Sequence, residues 1–212
     1  MAATADLTAA IAHLRAADPV LRGLIDEIGV DSLGERRIAP PRDHYGALVR
    51  TIVGQQLSTR SARAIYERLA ARFGGRAPTP EEILADDPDE LRTSAGLSHA
   101  KVRYLRSLAE HVLDGSLRLD SLARLPDDKV IAELTAVSGI GLWSADMFLM
   151  FHLQRPDVLP VGDLGIRKAF QAAYGLPELP VAGEMERIAE PWRPHRSLAC
   201  LFLWRLVSAA PI

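Results

Sequence analysis

The sequence predicts an all-α protein, and three observations support this prediction. Strand signals are nearly absent, because no segment sustains an alternation of apolar and polar residues. Residues that begin and end helices recur throughout the chain. Between them, apolar residues repeat at the spacing of one helical face, as Ala62, Ile65, Leu69 and Phe73 do.

Start and stop signals divide the first part of the chain into helices and one loop. Asp18-Pro19 supplies a cap and a first-turn proline for a second helix, which ends near Gly29. Ser58 caps a fourth helix, and Gly74-Gly75 stops it. The predicted helices of this part span about 4–17, 19–29, 43–54 and 58–73, and residues 31–42 are predicted as a loop that carries Pro40-Pro41.

The same signals continue through the rest of the chain. Thr79-Pro80 and Asp87-Pro88 begin two helices whose acidic first turns suit the positive end of the helix dipole. Ser98 opens a long helix that reaches Gly115. Further helices are predicted at about 126–137, 142–152, 164–174, 183–190 and 196–209. The sequence contains neither a repeat nor a low-complexity linker.

Length and composition exclude several classes of protein. The chain has 212 residues, of which 48% are hydrophobic, so it suits one compact domain or two small lobes and is too apolar for intrinsic disorder. No stretch approaches the roughly 20 uninterrupted apolar residues that a membrane span needs, and the N-terminus lacks the pattern of a secretory signal. The single cysteine, Cys200, excludes an internal disulfide framework and a cluster held by four thiolates. We therefore expect a soluble cytosolic protein.

The charge is unevenly distributed along the chain. A net charge of −2 argues against a uniformly basic nucleic-acid binder. From Arg50 to Arg76, however, there are six arginines and one acid, whereas Glu81 to Glu90 carries six acids and no base. Folding could gather the basic segments on one face, or the charges could simply lie on solvated helix faces.

The most informative segment runs from Leu134 to Asp146. A helix ends there, Gly139 and Gly141 flank Ile140, and a new helix begins at once. Glycines let a backbone approach a ligand closely, and the unpaired N–H groups that open a helix suit a phosphate. Gly-x-Gly also occurs in ordinary corners between helices, so this segment by itself leaves both interpretations open.

Four ordered motifs together are similar to one family. The hairpin resembles the Leu-x-x-x-Pro-Gly-Ile-Gly-x-x-(Ser/Thr)-Ala element of the helix-hairpin-helix (HhH-GPD) DNA glycosylase superfamily, and the loop 155–163 ends in Asp163, where that superfamily has an aspartate. Upstream, residues 52–58 resemble its Gln-Gln-(Leu/Ile)-Ser segment. Residues 192–199 resemble Trp-x-Pro-Trp-Arg-Ser, which belongs to the AlkA-like 3-methyladenine glycosylases.

The resemblance runs from about Tyr45 to Trp204 and has three departures. Ser138 replaces the usual hairpin proline, and His195 stands where an indole is common in the base pocket. The chain before Tyr45 is too short for the N-terminal β domain of longer members. The resemblance implies a single compact domain of residues 1–212 in two helical lobes. One lobe would comprise roughly 1–44 and 164–212, and the other roughly 45–163 with the hairpin.

The implied activity is that of a monofunctional DNA glycosylase in base excision repair, which flips out an alkylated purine and leaves an abasic site. The N-glycosidic bond breaks through a transition state with positive charge on the sugar, and Asp163 is the candidate carboxylate that stabilises it. The implied partner is double-stranded DNA bound by a monomer. The implied location is the bacterial cytoplasm, at the nucleoid.

The resemblance and the residue types also assign candidate binding positions. A cationic base stacks well on aromatic faces, so the pocket candidates are Trp143, Trp192, His195, Tyr45 and Tyr104. The candidates that fill the gap in the duplex are Gln55, Gln56 and Leu57, and those that bind a phosphate are Gly139, Gly141 and Ser144. The resemblance implies a structural cation on the backbone carbonyls of Thr135, Val137 and Ile140, and no other cofactor.

Alternatives remain at the level of sequence. Asp163 could serve only as the N-cap of the helix that starts at Leu164, and Asp146 is the nearest competing carboxylate. The protein could be a non-catalytic helix-hairpin-helix module. A glycosylase-lyase is the third possibility, but Trp143 stands at the position of the superfamily's Schiff-base lysine, and Lys168 lies one helical turn beyond Asp163.

Overall fold

The computed structural model describes residues 2–33 and 43–207, and every regular element within these ranges is a helix, which confirms the predicted class. The α-helices are α1 (Ala2–Ala17), α2 (Pro19–Ile28), α3 (His44–Gly54), α4 (Thr59–Arg72), α5 (Pro80–Ala85), α6 (Pro88–Ala95), α7 (His99–Leu113), α8 (Leu119–Leu122), α9 (Asp127–Thr135), α10 (Leu142–Met147), α11 (Leu164–Tyr174), α12 (Ala182–Ala189) and α13 (Arg196–Leu206). Short 3-10 segments lie at Val30–Leu33 and Glu190–Trp192.

The observed helices differ from the predicted ones mainly where a local signal is weak. The four-residue helix α8 was not predicted, because no side chain caps its start. The predicted helix 142–152 consists of α10 followed by one π-helical turn, Phe148–His152. Helix α13 ends at Leu206. Most of the predicted loop, with Pro40-Pro41, and the last residues of the predicted final helix lie outside the described residues.

The chain divides into two units. In the described ranges, the first unit consists of residues 2–33 and 154–207, and the second of residues 43–153. The second boundary falls between Leu153 and Gln154, about ten residues before the predicted position, so Asp163 belongs to the first unit. The hairpin belongs to the second unit.

A buried carboxylate organises the first unit. Asp18 caps α2 by accepting hydrogen bonds from the Val20 and Leu21 amides on Oδ1. Its Oδ2 accepts from the Tyr174 hydroxyl at 2.7 Å and the Trp192 indole at 2.9 Å. Because each oxygen has two donors, this carboxylate is buried without an unmet hydrogen-bonding need.

The second unit packs around α3, whose Leu48, Val49, Ile52 and Val53 are fully buried. Near the start of this helix, Nδ1 of His44 lies 2.6 Å from Nε2 of His152, and the His152 ring stacks on Phe148. Burial, with a smaller contribution from His44, lowers the pKa of His152 to about 4. His152 is therefore neutral at physiological pH.

In the described ranges, no helix is long and apolar enough to cross a membrane.

Candidate active site

The hairpin of the second unit joins α9 to α10 by a tight turn. Helix α9 ends at Thr135, and the Ile140 amide donates to the Val137 carbonyl at 3.0 Å. Val137 and Ile140 are 1% and 4% exposed, so they pack inward and fix the angle between the two helices. Gly141 is the N-cap of α10 and lies on the surface.

The two glycines of this turn have different reasons to be glycine. Gly139 has a φ of +88°, and a Cβ there would overlap the ring of Tyr104, so the fold itself requires glycine. Gly141 has φ −95° and ψ 178°, and a Cβ there would meet no atom within 4 Å. Nothing in the described part of the chain therefore explains Gly141, and its bare Cα leaves room for a ligand that approaches from outside.

A second surface element is the turn Gly54–Leu57, which follows α3. The Leu57 amide donates to the Gly54 carbonyl at 3.2 Å, Gln55 has φ −52° and ψ 133°, and Gln56 has φ +57°. These values describe a type II turn, whose third residue is usually glycine. The sequence has Gln56 there, in the strained left-handed region, and the side chains of Gln56 and Leu57 are exposed.

The structure links this turn to the hairpin through one side chain. Nε2 of Gln55 donates to the Gly139 carbonyl at 2.8 Å and to Oγ of Ser144 at 3.0 Å. Gln55 was predicted to enter the DNA and Ser144 to bind a phosphate. In this structure the Gln55 amide is bound to the hairpin, and Ser144, which accepts from it, is only 3% exposed, so both DNA-contact roles stay predictions.

Helix α7 supports both elements. Nζ of Lys101 donates to the Val53 carbonyl at 2.7 Å, at the last turn of α3. One helical turn further along α7, the ring of Tyr104 covers Gly139. Tyr104 was predicted to line the base pocket; its ring packs against the hairpin and stays partly exposed, so that assignment remains a prediction.

In the first unit, Asp163 is held by two donors. It is 9% exposed and is the N-cap of α11, where its Oδ1 accepts from the Ile166 amide at 2.7 Å. The same oxygen accepts from the indole Nε1 of Trp204 at 2.9 Å. The capping interpretation of Asp163 is thus correct, and a carboxylate fixed in this way is also oriented.

The loop that leads to Asp163 is anchored by the start of α13. Arg196 donates to both carboxylate oxygens of Asp157 and to its backbone carbonyl, with Nε–Oδ1 at 2.7 Å. Oγ of Ser197 donates to the Arg155 carbonyl at 2.7 Å and accepts from the Val158 amide at 2.9 Å. The Arg-Ser pair of the fourth motif therefore fixes residues 155–158.

Two further aromatic candidates are buried within their own units. Trp192 is 0% exposed, donates to Asp18 and lies against Phe170, so it is a core residue and its predicted pocket role is corrected. Tyr45 is 6% exposed, burial raises the pKa of its hydroxyl, and that hydroxyl has no hydrogen-bond partner among the described residues. A side chain buried to this extent does not present a face for stacking on a base.

Two further aromatic candidates, like Tyr104, keep part of their surface. Trp143 is partly exposed and stands at the second position of α10, directly after the hairpin turn. His195 is partly exposed and precedes α13, with its ring centroid 5.3 Å from that of His13. Their assignment to a base pocket stays a prediction.

The competing carboxylate, Asp146, differs from Asp163 in its surroundings. It is 5% exposed within α10, and burial raises its pKa to about 7. A carboxyl group that is largely protonated below neutral pH is a poor stabiliser of positive charge. Asp146 is therefore a weaker candidate than Asp163 for the carboxylate that stabilises the transition state.

The three carbonyls predicted to hold a cation suit such an ion by their chemistry. The oxygens of Thr135, Val137 and Ile140 follow the C-terminal end of α9, which carries the negative pole of the helix dipole. The Val137 oxygen already accepts from the Ile140 amide, and its second lone pair can still face an ion. Hard cations prefer such oxygen donors.

Several residues of these sites escaped prediction from the sequence. Their hydrogen bonds join positions far apart in the chain, and no local pattern reveals such pairs. Trp204 and Asp163 are 41 residues apart, and Lys101 and Val53 are 48 apart. The one available signal was the Arg-Ser pair at 196–197 within the fourth motif, to which no role was assigned.

Comparisons with known proteins agree with these observations. Residues 49–194 match the family described as HhH-GPD superfamily base excision DNA repair protein. The DNA-3-methyladenine glycosylase 1 of Schizosaccharomyces pombe is 33% identical over 94% of this chain and 87% of its own length. The DNA-3-methyladenine glycosylase 2 of Escherichia coli is 29% identical over 87% of this chain and 65% of its own length.

A solved structure extends the similarity to the fold. The structure of a Schizosaccharomyces pombe 3-methyladenine DNA glycosylase in complex with abasic DNA superimposes with a TM-score of 0.85 and 32% identity. The match covers 95% of this chain and 97% of the other. The similarity therefore includes both described units of the chain.

Proposed function

Because the chain belongs to the HhH-GPD superfamily of base excision DNA repair proteins, we propose that it is a monofunctional DNA glycosylase that removes alkylated purines from duplex DNA. The hydrolysis of one N-glycosidic bond leaves an abasic site. The substrates are bases of the 3-methyladenine and 7-methylguanine type.

The observation that carries the proposal is the carboxylate of Asp163. It closes the loop 155–163 and is held by the Ile166 amide and the Trp204 indole. As the glycosidic bond lengthens, positive charge develops on the deoxyribose, and a fixed carboxylate stabilises this charge without reorganising. The same carboxylate orients, or takes a proton from, the water that attacks C1′.

The substrate class accounts for the need for only one carboxylate. Glycosidases normally use a second carboxyl group as a general acid that protonates the leaving group. A purine methylated on a ring nitrogen already carries positive charge, so it departs without being protonated. The chemistry of the damage therefore supplies part of the selectivity.

DNA contact is assigned to the second unit. The surface turn at Gly141 offers backbone amides to a phosphate, a contact that positions the protein on any sequence. The exposed turn Gly54–Leu57 carries the side chains that fill the gap left by a flipped base, and Gln56 and Leu57 are the two that face solvent. A cation on the carbonyls of Thr135, Val137 and Ile140 would bridge the hairpin to the same phosphate, in a structural role.

Two other activities fit the residues less well. A glycosylase-lyase needs an amine that attacks C1′, and the indole of Trp143, where that amine belongs, is not a nucleophile. Lys168 is exposed and lies one turn beyond Asp163. A non-catalytic DNA-binding module would need the hairpin, and Asp163 would then serve only as the N-cap of α11.

The test is base release from duplexes that each carry one defined lesion: 3-methyladenine, 7-methylguanine or ethenoadenine. We expect release of at least one methylated purine by the wild type. Asp163→Asn keeps an oxygen that can accept from Ile166 and Trp204, so it should fold and bind DNA while excision falls by at least about a hundredfold. Near-normal excision by Asp163→Asn would contradict the assignment, and failure of the wild type on every lesion would contradict the activity.

We further propose that the protein acts as a monomer in the cytoplasm, on nucleoid DNA, because the motifs for DNA contact and for bond cleavage lie in one chain. Light scattering in the presence and absence of a lesion-containing duplex tests this. A dimer in either sample would contradict the monomer.

A further inference from the structure

We propose that Gln55 is a positioning residue that fixes the turn Gly54–Leu57 to the hairpin, so that the grip on a phosphate and the displacement of a base act as one element. This inference rests on the proposed function. It concerns how one unit of the protein coordinates two contacts with DNA.

Gln55 uses both N–H donors of its side-chain amide. Gly139 offers a carbonyl oxygen, which can only accept, so the side-chain atom 2.8 Å away is the nitrogen Nε2. That nitrogen carries two protons, and the Ser144 hydroxyl 3.0 Å away accepts the second. One side chain thus contacts both the turn of the hairpin, at Gly139, and the first helical turn after it, at Ser144.

The turn joins α3 to α4, and Ser58 caps α4 directly after it. Gln56, Leu57 and Ser58 are exposed, so apolar packing fixes these positions only weakly. Polar contacts at the base of the turn act together with the two flanking helices to set its position. These contacts are those of Gln55 and the bond from Lys101 to the Val53 carbonyl at 2.7 Å.

Helix α7 also contacts both elements. Lys101 contacts the end of α3, directly before the turn, and Tyr104 covers Gly139 in the hairpin. The two residues are three positions apart and so lie on one face of the helix. Gln55 and α7 therefore connect the turn and the hairpin independently. We expect the loss of Gln55 to loosen the position of the turn relative to the hairpin and to leave the fold intact.

The strained backbone of Gln56 is consistent with this role. A non-glycine residue at φ +57° persists only where its surroundings hold it, and Gln55 is the adjacent residue whose side chain is anchored. The anchored side chain directs the next two side chains away from the protein.

The test compares Gln55→Glu with the wild type on two duplexes. The substitution keeps the size of the side chain and removes both N–H donors. One duplex carries the alkylated purine that the wild type removes fastest, opposite its normal pairing base. The other carries the same lesion opposite a tetrahydrofuran abasic analogue, so that the lesion has no pairing partner and is more easily displaced. Single-turnover rates are measured on both duplexes with the same enzyme preparation.

We expect Gln55→Glu to slow excision of the paired lesion by about tenfold, the change expected for one or two lost hydrogen bonds, and the unpaired lesion by less than about threefold. The new carboxylate lies beside the proposed phosphate site, so affinity for undamaged duplex should fall, and both excision rates are therefore measured at saturating enzyme. Ser144→Ala, which keeps the bond to Gly139, should give a smaller effect of the same kind.

The matched control is Gln171→Glu, the same change at a glutamine of α11 whose Nε2 lies 3.4 Å from the Pro177 carbonyl. It should leave the ratio of the two rates unchanged. The ratio does not depend on the fraction of folded enzyme, so a partly unfolded preparation still gives an answer.

Equal slowing on both duplexes, or no slowing on either, would overturn the role of Gln55 while leaving the glycosylase activity in place. If the wild type excises no lesion, the proposed function itself fails. The two failures are therefore distinguishable.

Discussion

The indole of Trp204 donates a hydrogen bond of 2.9 Å to Oδ1 of Asp163, the oxygen that also caps α11. The first unit repeats this arrangement at Asp18, which caps α2 and accepts from the Trp192 indole at 2.9 Å. Both tryptophans are 0% exposed. Two buried indoles thus each hold a helix-capping aspartate, and we propose a catalytic role for only one of these aspartates.

This pair gives a prediction with an internal control. Trp204→Phe removes the donor and keeps most of the ring, so Asp163 loses one of the hydrogen bonds that orient it. We expect the single-turnover excision rate, corrected for active enzyme, to fall by about tenfold or more. Trp192→Phe removes the same kind of bond from Asp18 and should cost about 1–3 kcal/mol of stability with little change in that rate. Equal rates for both variants would remove Trp204 from the positioning of Asp163.

A second prediction separates the two glycines of the hairpin. Gly141→Val should leave the melting temperature nearly unchanged, because a side chain there points into open space. It should weaken binding to all duplexes alike by blocking the approach of a phosphate. Gly139→Ala should lower the melting temperature, because of its φ of +88° and the ring of Tyr104.

The salt dependence of DNA binding tests the proposed phosphate site at the hairpin. The affinity of the wild type for duplex DNA should fall steeply as salt rises, as phosphate contacts require, and Gly141→Val should show a shallower slope. Binding by the wild type that does not depend on salt would leave the phosphate site without support.

A third prediction concerns the buried carboxyl of Asp146, whose pKa burial raises from 3.8 to about 7. Between these two values, the folded protein keeps a proton that the unfolded chain has released. A rise in pH through this window therefore favours the unfolded state, and the cost levels off above about pH 7.

Asp146→Asn removes this cost because an amide does not ionise. With about 1.4 kcal/mol per pKa unit, and a discount for partial rehydration of the carboxylate, we expect the gain in the free energy of unfolding to be about 1–3 kcal/mol larger at pH 8 than at about pH 4.5. Urea denaturation at the two pH values measures it. A gain independent of pH would show that Asp146 is not protonated in the folded state.

A fourth prediction concerns the DNA after the base has left. Without an amine at the position of Trp143, the abasic strand should stay intact until it is treated with heat or alkali, and borohydride should trap no covalent complex above background. If borohydride traps a complex and Lys168→Gln abolishes it, Lys168 is a nucleophile and the protein is a glycosylase-lyase.

Elements that a local signal defines could be predicted from the sequence. The capping residues Asp18, Ser58 and Asp163 each stand directly before the helix that they were expected to start. Such a residue bonds to amides only two or three positions away, so the information is local. The family motifs are also short local strings, and they assigned the hairpin and Asp163 to the candidate site.

Roles that depend on distant partners could not be predicted. Trp192 and Trp204 are both tryptophans near the C-terminus, and no pattern of residues states that one indole reaches Asp18 and the other Asp163. Gln55 and Gln56 are adjacent and identical in type, yet one amide is bound to the hairpin and the other side chain faces solvent. Tertiary contacts, which the local sequence does not encode, decide both cases.

The discontinuity of the first unit has a consequence for biosynthesis. The second unit is continuous in sequence, so all of its residues have been translated before Asp163 is reached. Asp163 then waits for Trp204, 41 residues later, before its carboxylate has both of its donors. Since domains tend to fold as units during translation, a nascent chain can form the hairpin before it can complete the site of bond cleavage. A ribosome that stalls between these two points would leave a chain that has its DNA-binding hairpin but lacks the completed site for cleaving the N-glycosidic bond.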